Sequence, residues 1–408
     1  MTIQQITDSL LCSGCGTCNA ICGHQAISMK KTPTMGLLHA EIDASKCTDC
    51  GLCLKMCPSA HILEEKEHVT EQHIIGNIEA CYVGRSLNKE HYANAQSGGM
   101  ATTILNFLFE HNLIDAAISC RMEYGKPTPH IHYTIITNPT DLLKNQRSCY
   151  TQVDIVSALK ETSKYKSIAL VGIPCHIQGV SNLMSLKKFS NIRYRIGLIC
   201  DKSYTDSYMN AIIDNINIVN DKLKIIYKQK DFTYKGVTYS YQHAPTVVTN
   251  QKGEMTIIPN SKRMFLKDFF TVPKCKLCWD KLNTKADIVL GDPWGLKGKY
   301  DEQKGDSVII VRTAKATKML NDMLLEEKIT LTLVEVNEVA KGQLIKQREK
   351  SIHNANWDSI KSRWTKLEQR SYKSIMLQAR LICLMMNVKV ILSDIKGLIL
   401  STLNSNKR

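Results

Sequence analysis

The sequence predicts an α/β body with a mixed sheet, preceded by a small α+β module and followed by a helical, basic C-terminal tail. Three observations carry that prediction. Short apolar runs alternate with stretches of helical length through the middle of the chain, a cysteine pattern recurs near its start, and basic residues crowd its end. At 408 residues the chain is long for one domain. The expected division is residues 1–66 for the module, 78–163 and 164–340 for two parts of the body, and 341–408 for the tail.

The module is read from a repeat. Asp8 to Cys22 aligns with Asp43 to Cys57, and the aspartates, four cysteines and a glycine (Gly16, Gly51) coincide. Such a repeat marks two copies of one small unit packed together. Each copy spaces its cysteines C-x2-C-x2-C-x3-C, which lets three thiolates converge on one face of an iron–sulfur cubane while the fourth points to the neighbouring cluster. Cys12, Cys15, Cys18 and Cys57 are thus assigned to one 4Fe–4S cluster, and Cys47, Cys50, Cys53 and Cys22 to the other. Zinc prefers two separated C-x2-C pairs, a poor match to this spacing. Gly16 and Gly51 let the backbone wrap closely and aim N–H groups at sulfide. Gly23 stands where proline commonly follows Cys22, and proline ligates nothing. Two clusters in line make a wire, which implies a redox centre elsewhere.

In the body, strands are expected at 115–119, 134–137, 167–172, 194–199, 287–290, 307–311 and 330–336, with helical patterns at 100–110 and 154–162 between them. Reactive side chains follow the strands: Cys120, Pro174-Cys175, Cys200-Asp201 and Gly291-Asp292. Ligands of open α/β sheets collect beyond the carboxyl ends of strands, so these positions outline a site. Cys275 and Cys278 form a further C-x2-C, which is ambiguous between metal and redox thiols. Cys81, Cys120 and Cys383 fit no pattern and are read as ordinary cysteines.

The charge balance is +15, and residues 341–408 hold 14 basic and 4 acidic residues. A basic tail can meet nucleic acid, anionic lipid at a peripheral membrane contact, or an acidic protein, and a solvated helical tail is the plain alternative. No groove-reading motif accompanies it, so no nucleic-acid partner is expected. Within 371–400, polar side chains occupy two opposite helical edges, which favours packing on the body or a partner over lying on a membrane. The N-terminus shows no basic and apolar leader, so a soluble, cytoplasmic protein is expected, in a compartment where clustered cysteines favour metal over disulfides.

Ser97-Gly98-Gly99, Ser148, Tyr150 and Gln152, Gly172-Ile-Pro-Cys-His176, Cys275-x2-Cys278, Ala286-Asp287-Ile288, Gly291-Asp292 and Gly305 to Thr313 occur in an order that resembles the beta subunit of coenzyme F420 hydrogenase and dehydrogenase. The resemblance runs from about Ile78 to Val336, and that family also carries fused N-terminal ferredoxin modules. It implies an oxidoreductase binding FAD and a third 4Fe–4S cluster, the latter held by Cys175, Cys200, Cys275 and Cys278. It implies a small-molecule hydride carrier or substrate on one side and a redox partner protein or ferredoxin on the other. Ser97, Gly98, Gly99, Ser148, Tyr150 and Gln152 become the implied FAD contacts, with the glycines admitting backbone N–H groups to its phosphates. Cys149 replaces the lysine common beside that tyrosine, which removes one expected contact. His176 is read as structural in preference to a proton shuttle. Relatives occur alongside surface-polysaccharide enzymes, so a reductase tied to polysaccharide biosynthesis is one expectation, and a non-catalytic electron-transfer subunit is the alternative.

Overall fold

The computed structural model describes residues 2–381, 384 and 385, apart from residues 187, 215–220, 231, 235, 240, 242–243 and 259. The chain opens with two short helices and an antiparallel hairpin, β1 (Ile27–Lys31) and β2 (Leu38–Ile42). The helices Thr17–Ile21 and Leu52–Lys55 carry Cys18 and Cys53, and the other repeated cysteines lie in the segments that flank them.

The body is built on β3 (Ala80–Ser86), β4 (Ala116–Glu123), β5 (His130–Ile136), β6 (Ile168–Gly172) and β7 (Ile192–Leu198). An excursion follows: β8 (Leu223–Ile226), a small hairpin of β9 (Phe232–Tyr234) and β10 (Val237–Tyr239), then β11 (Thr246–Asn250) and β12 (Met255–Ile258). β8, β11 and β12 make a separate three-stranded antiparallel sheet. The chain then returns with β13 (Ile288–Gly291), β14 (Ser307–Val311) and β15 (Ile329–Val334). The eight-stranded sheet runs β15-β3-β14-β13-β7-β6-β4-β5, parallel through β13, β7, β6 and β4 and antiparallel toward both edges. It is mixed, as expected. All seven expected strands lie in it, and β3 is an eighth that the polar Gly84-Arg85-Ser86 end disguised.

Strands buried on both faces need apolar residues at every position, and β6 (Ile-Ala-Leu-Val-Gly) and β14 (Ser-Val-Ile-Ile-Val) are buried throughout. Alternate residues supply two cores. Ala169, Ile196, Ile288 and Ile309 pack with Ile104 and Leu108 of helix Met100–Glu110 and Leu320 of helix Ala314–Leu325. On the other face Ile168, Leu170, Val289 and Ile310 meet Ile177 and Val180 of helix Pro174–Met184, together with Cys15, Ala20 and Ile21 of the module. The module is therefore part of the body's core. The helical pattern expected at 154–162 is a 3-10 helix, Ile155–Glu161, lying under the module.

Helices Ile345–His353 and Trp357–Glu368 continue the C-terminal region. Ile352, Trp364, Leu367, Ile375, Met376 and Ala379 are buried, so this region packs on the body at least to Ala379. Cys383 and 386–408, including most of the stretch read for its helical edges, lie outside the described residues. Among the described residues no helix is long and apolar enough to cross a membrane.

Candidate iron–sulfur and cofactor site

The repeated glycines begin the module's two cysteine-bearing helices in the left-handed region, Gly16 at φ 86° and Gly51 at φ 70°. That conformation costs a side chain about 1–2 kcal/mol and suits glycine. Cys12, Cys15 and Cys18 are buried. Cys57, from the second copy, interacts electrostatically with Cys15 and Cys12, and Cys18 with Cys12, Cys15 and Cys57. The fourth cysteine of the second run thus faces the first run. Cys53 interacts with Cys50 and Cys47, and Cys22 packs in an apolar cluster that holds Cys53 together with Cys12, Cys18 and Cys57. This second group is open: Cys22 and Cys47 are half-buried and Cys50 is exposed. Burial pushes the Cys12 thiol up to about 11, and burial plus neighbouring sulfurs raise Cys18 and Cys57. Iron binds the thiolate, so loading this group would release protons.

The body brings four more cysteines together. Cys175 sits in the first turn of helix Pro174–Met184, directly after β6. Cys200 follows β7, its N–H bonded to the Lys281 carbonyl at 3.1 Å. Cys275 lies in the 3-10 turn Pro273–Lys276, and its sulfur accepts from the Ser203 N–H at 3.4 Å. Cys200 interacts electrostatically with Cys275, Cys175 and Cys278, and Cys175 with Cys15, Cys275 and Cys278. Burial and these mutual interactions raise Cys175 and Cys200. No group of three or more His, Cys, Asp or Glu side chains among the described residues is set to hold a single metal ion. Four thiols in each group are the donor set that a 4Fe–4S cluster takes. All three groups fit 4Fe–4S clusters in that respect.

Lys274, adjacent to Cys275, is 4% exposed. Burial alone would lower its pKa, but Cys278, Cys175, Cys275 and Cys15 raise it well above the usual lysine value. A fixed cation thus stands between the body group and the inner module group. Arg348 donates from Nε to the Cys278 carbonyl at 2.8 Å. Neither was signalled in the sequence, since Lys274 looked like loop charge and Arg348 like tail. His176 is buried, with Nε2 2.9 Å from the Val153 carbonyl and Nδ1 accepting from the Ile173 N–H, and burial lowers its pKa to about 4. It is a neutral structural histidine.

The residues implied for FAD divide. Gly98 donates its N–H to Ser307 Oγ at 3.0 Å, and a Cβ there would stand 2.5 Å from the Gly84 carbonyl oxygen. Gly99, at φ 75°, is pressed against the His91 backbone. Both glycines are explained by chain packing, and the Gly98 N–H is already spent. Gln152 is also committed: its amide accepts from the Leu38 N–H at 2.9 Å and donates to the Ser13 and Leu38 carbonyls. It locks the module to the body. Ser97, whose hydroxyl lies 3.1 Å from Ser307 Oγ, and Ser148, whose N–H donates to Gln96 Oε1 at 2.9 Å, share one loop cluster. Tyr150, at φ 61°, packs edge-on to Tyr227 with ring centroids 4.8 Å apart. Around them several buried polar atoms find no partner: Gln96 Nε2, Gln146 Oε1, Tyr208 Oη, Tyr227 Oη and Arg263 Nε. Buried polar atoms left unpaired cost about 1–3 kcal/mol each, so their gathering here suits a polar aromatic ligand such as a flavin nucleotide. Beside this zone, Asp292 bonds Lys228 at 2.9 Å and Tyr241 Oη at 2.7 Å, and so orients both side chains.

Comparison with known proteins finds likenesses in sequence and in fold. Residues 81–160 match the N-terminal part, and 165–337 the C-terminal part, of the family described as "Coenzyme F420 hydrogenase/dehydrogenase, beta subunit". Residues 11–61 match a "4Fe-4S dicluster domain". The coenzyme F420-dependent sulfite reductase of Methanocaldococcus jannaschii is 26% identical over 353 residues, 82% of this chain and 49% of that protein. The chain thus spans about half the length of that relative. A subunit of the F(420)H(2) dehydrogenase of Methanosarcina mazei is 27% identical over 349 residues, 80% of this chain and 91% of that one. A chain of the F420-reducing [NiFe] hydrogenase complex from Methanosarcina barkeri shares the fold, with a TM-score of 0.52, 20% identity, and coverage of 69% of this chain and 94% of that chain.

Proposed function

This chain belongs to the oxidoreductase family of coenzyme F420 hydrogenase/dehydrogenase beta subunits, and from that premise we propose that it is an iron–sulfur flavoprotein passing electrons between a hydride carrier and one-electron partners. The observation that carries the reading is the series of three cysteine groups: Cys175, Cys200, Cys275 and Cys278 in the body, then Cys12, Cys15, Cys18 and Cys57, then Cys22, Cys47, Cys50 and Cys53. The first two groups interact through Cys15 and Cys175, and the third is exposed at Cys50. Each is proposed to hold one 4Fe–4S cluster, with the outermost as the port for a redox partner protein or ferredoxin.

FAD, when bound, accepts two electrons as a hydride and releases them one at a time, which is what a cluster wire requires. Ser97, Ser148 and Tyr150 are proposed to line its site with the unpaired groups of Gln96, Gln146, Tyr208, Tyr227 and Arg263. Tyr150 lies within electrostatic reach of Cys200, which would set flavin and body cluster side by side. Burial holds Tyr150 neutral, its pKa raised to about 12. The hydride carrier by this reading is coenzyme F420 or a nicotinamide, and the terminal substrate includes surface-polysaccharide precursors among its candidates.

Anaerobic purification, denaturation and identification of released flavin test the reading. Stoichiometric FAD is expected. Iron without flavin would overturn the flavoenzyme in favour of a non-catalytic electron-transfer subunit, in which the body only docks its partner.

A further inference from the structure

Cys120 and Cys149 have no place in the three cysteine groups, yet their sulfurs lie 3.5 Å apart. They come from distant segments: Cys120 from within β4, paired with Tyr133 on β5, and Cys149 from the loop between Ser148 and Tyr150. The structure holds that loop from several sides. Asn145 Nδ2 donates to the Cys120 carbonyl at 3.2 Å and to Thr134 Oγ1, and Gln146 Nε2 to the His91 carbonyl at 3.0 Å. Arg147 and Tyr150 flank it with φ of 82° and 61°, and the Tyr150 carbonyl accepts from the Tyr204 N–H at 3.0 Å. Backbone in this sparsely populated region persists only where the surroundings over-determine it. Here the result is that one thiol is aimed at another.

We propose that Cys120 and Cys149 form a reversible dithiol–disulfide couple, a two-electron station in the body that reacts with disulfide substrates. A disulfide bond is about 2.05 Å long, so the sulfurs need to approach by about 1.5 Å, within the reach of side-chain rotation. The two thiols are unequal. Cys149 is buried and Cys120 half-buried, so Cys120 is the member an external disulfide meets first. The hydrogen bond between them lowers the Cys120 pKa and, with burial, raises that of Cys149, while Lys224 lies on the Cys149 side. Cys120, the more accessible of the two, is thus the nucleophile and Cys149 the resolving thiol.

The step balances as thiol–disulfide exchange. Cys120 thiolate attacks one sulfur of the external disulfide, breaks its S–S bond and releases one thiolate. Cys149 loses its proton, attacks the Cys120 sulfur, forms the internal S–S bond and releases the second thiolate. The external disulfide gains two electrons and the pair loses two, and two protons pass to the released thiolates. Return to the dithiol takes two electrons and two protons, which a one-electron wire can deliver in succession. The couple goes beyond the flavoprotein reading, and it needs no flavin to form.

The experiment uses the full chain with its clusters. The protein is exposed anaerobically to glutathione disulfide, desalted, and titrated with dithionite beside the Cys149→Ser and Cys120→Ser variants. Iron content matched to the parent shows that a variant has folded, and Cys149→Ala replaces a serine variant that loses iron. The parent is expected to consume about two electron equivalents more per chain than Cys120→Ser, whereas Cys149→Ser should keep one glutathione on Cys120, seen as a mass gain that the parent lacks. Blocking free thiols by alkylation before digestion should also recover a Cys120–Cys149 linked peptide. Flavin is assayed in the parent and each variant and two electrons per flavin are subtracted, so its absence leaves the difference intact. Equal electron counts in the parent and Cys120→Ser, or a glutathione adduct on Cys120 of the parent that never resolves to the linked peptide, would overturn the proposal.

Discussion

The two copies of the N-terminal repeat share their spacing and differ in their surroundings. In the first copy Cys12, Cys15 and Cys18 are buried. A Cβ on Gly16 would lie 2.4 Å from Ser157 Oγ, and the Cys15 carbonyl accepts from the Val156 N–H of the body at 3.1 Å. In the second copy Cys50 is exposed and Cys47 half-buried, and the nearby charges, Asp43, Lys46 and Asp49, are of the surface kind. In the proposed electron path, one sequence motif serves as an inner relay and its repeat as an outer port. The difference lies in what packs against each copy, because the cysteine spacing is the same in both.

The largest expected contrast is in electron passage. Cys15→Ala should interrupt transfer between body and module at least ~100-fold, because Cys15 belongs to the inner group and faces Cys175. Cys50→Ala should leave reduction of the inner and body groups intact and abolish only exchange with an added ferredoxin. Stopped-flow bleaching of the iron–sulfur absorption separates the two, and equal losses would erase the distinction between relay and port.

Stability should follow the same division. Gly16→Ala combines a left-handed backbone with a contact that cannot be relieved without moving the Ser157 backbone, and is expected to cost about 3 kcal/mol. Gly51→Ala, at φ 70° on a half-buried residue, is expected to cost the backbone penalty, about 1 kcal/mol. Thermal unfolding of both variants under anaerobic conditions measures the gap, and similar midpoints would contradict the packed interface. A comparable loss, about 3 kcal/mol, is expected for Asp287→Ala, because Asp287 is 2% exposed and pairs with Arg195 at 3.0 Å and Lys315 at 3.1 Å.

The smallest and most selective effect is electrostatic. Lys274→Met removes a buried cation that faces the body group and Cys15. The potentials of the body and inner groups should become more negative, since a nearby positive charge favours the reduced, more negative cluster. The outer group should be unmoved. Redox titration followed by electron paramagnetic resonance reads each centre, and a shift confined to the outer one would contradict the placement of Lys274.

Most of the large sheet was legible because its strands are short apolar runs that end in chemically distinctive residues. β3 was not, since its place between β15 and β14 depends on a small residue: a Cβ on Gly84 would stand 2.1 Å from the Thr330 carbonyl oxygen of β15. The three-stranded sheet of β8, β11 and β12 was likewise hidden in a polar, lysine-rich stretch. Cysteine spacing made the module readable, because ligand geometry there is local. Lys274, Arg348 and the Cys120–Cys149 contact depend on segments brought together only by folding, and no local pattern marks them. Gln152 shows the converse. It matches a family motif, and its amide serves the module's backbone.

The central claim is a line of three clusters whose innermost member lies in the body. Its most direct test is iron and acid-labile sulfide per chain after anaerobic reconstitution, in the parent and in a Cys200→Ala/Cys275→Ala variant. The prediction is about twelve irons in the parent, four for each cluster, and about eight in the variant. About eight irons in both would contradict the body cluster and end the wire at the module.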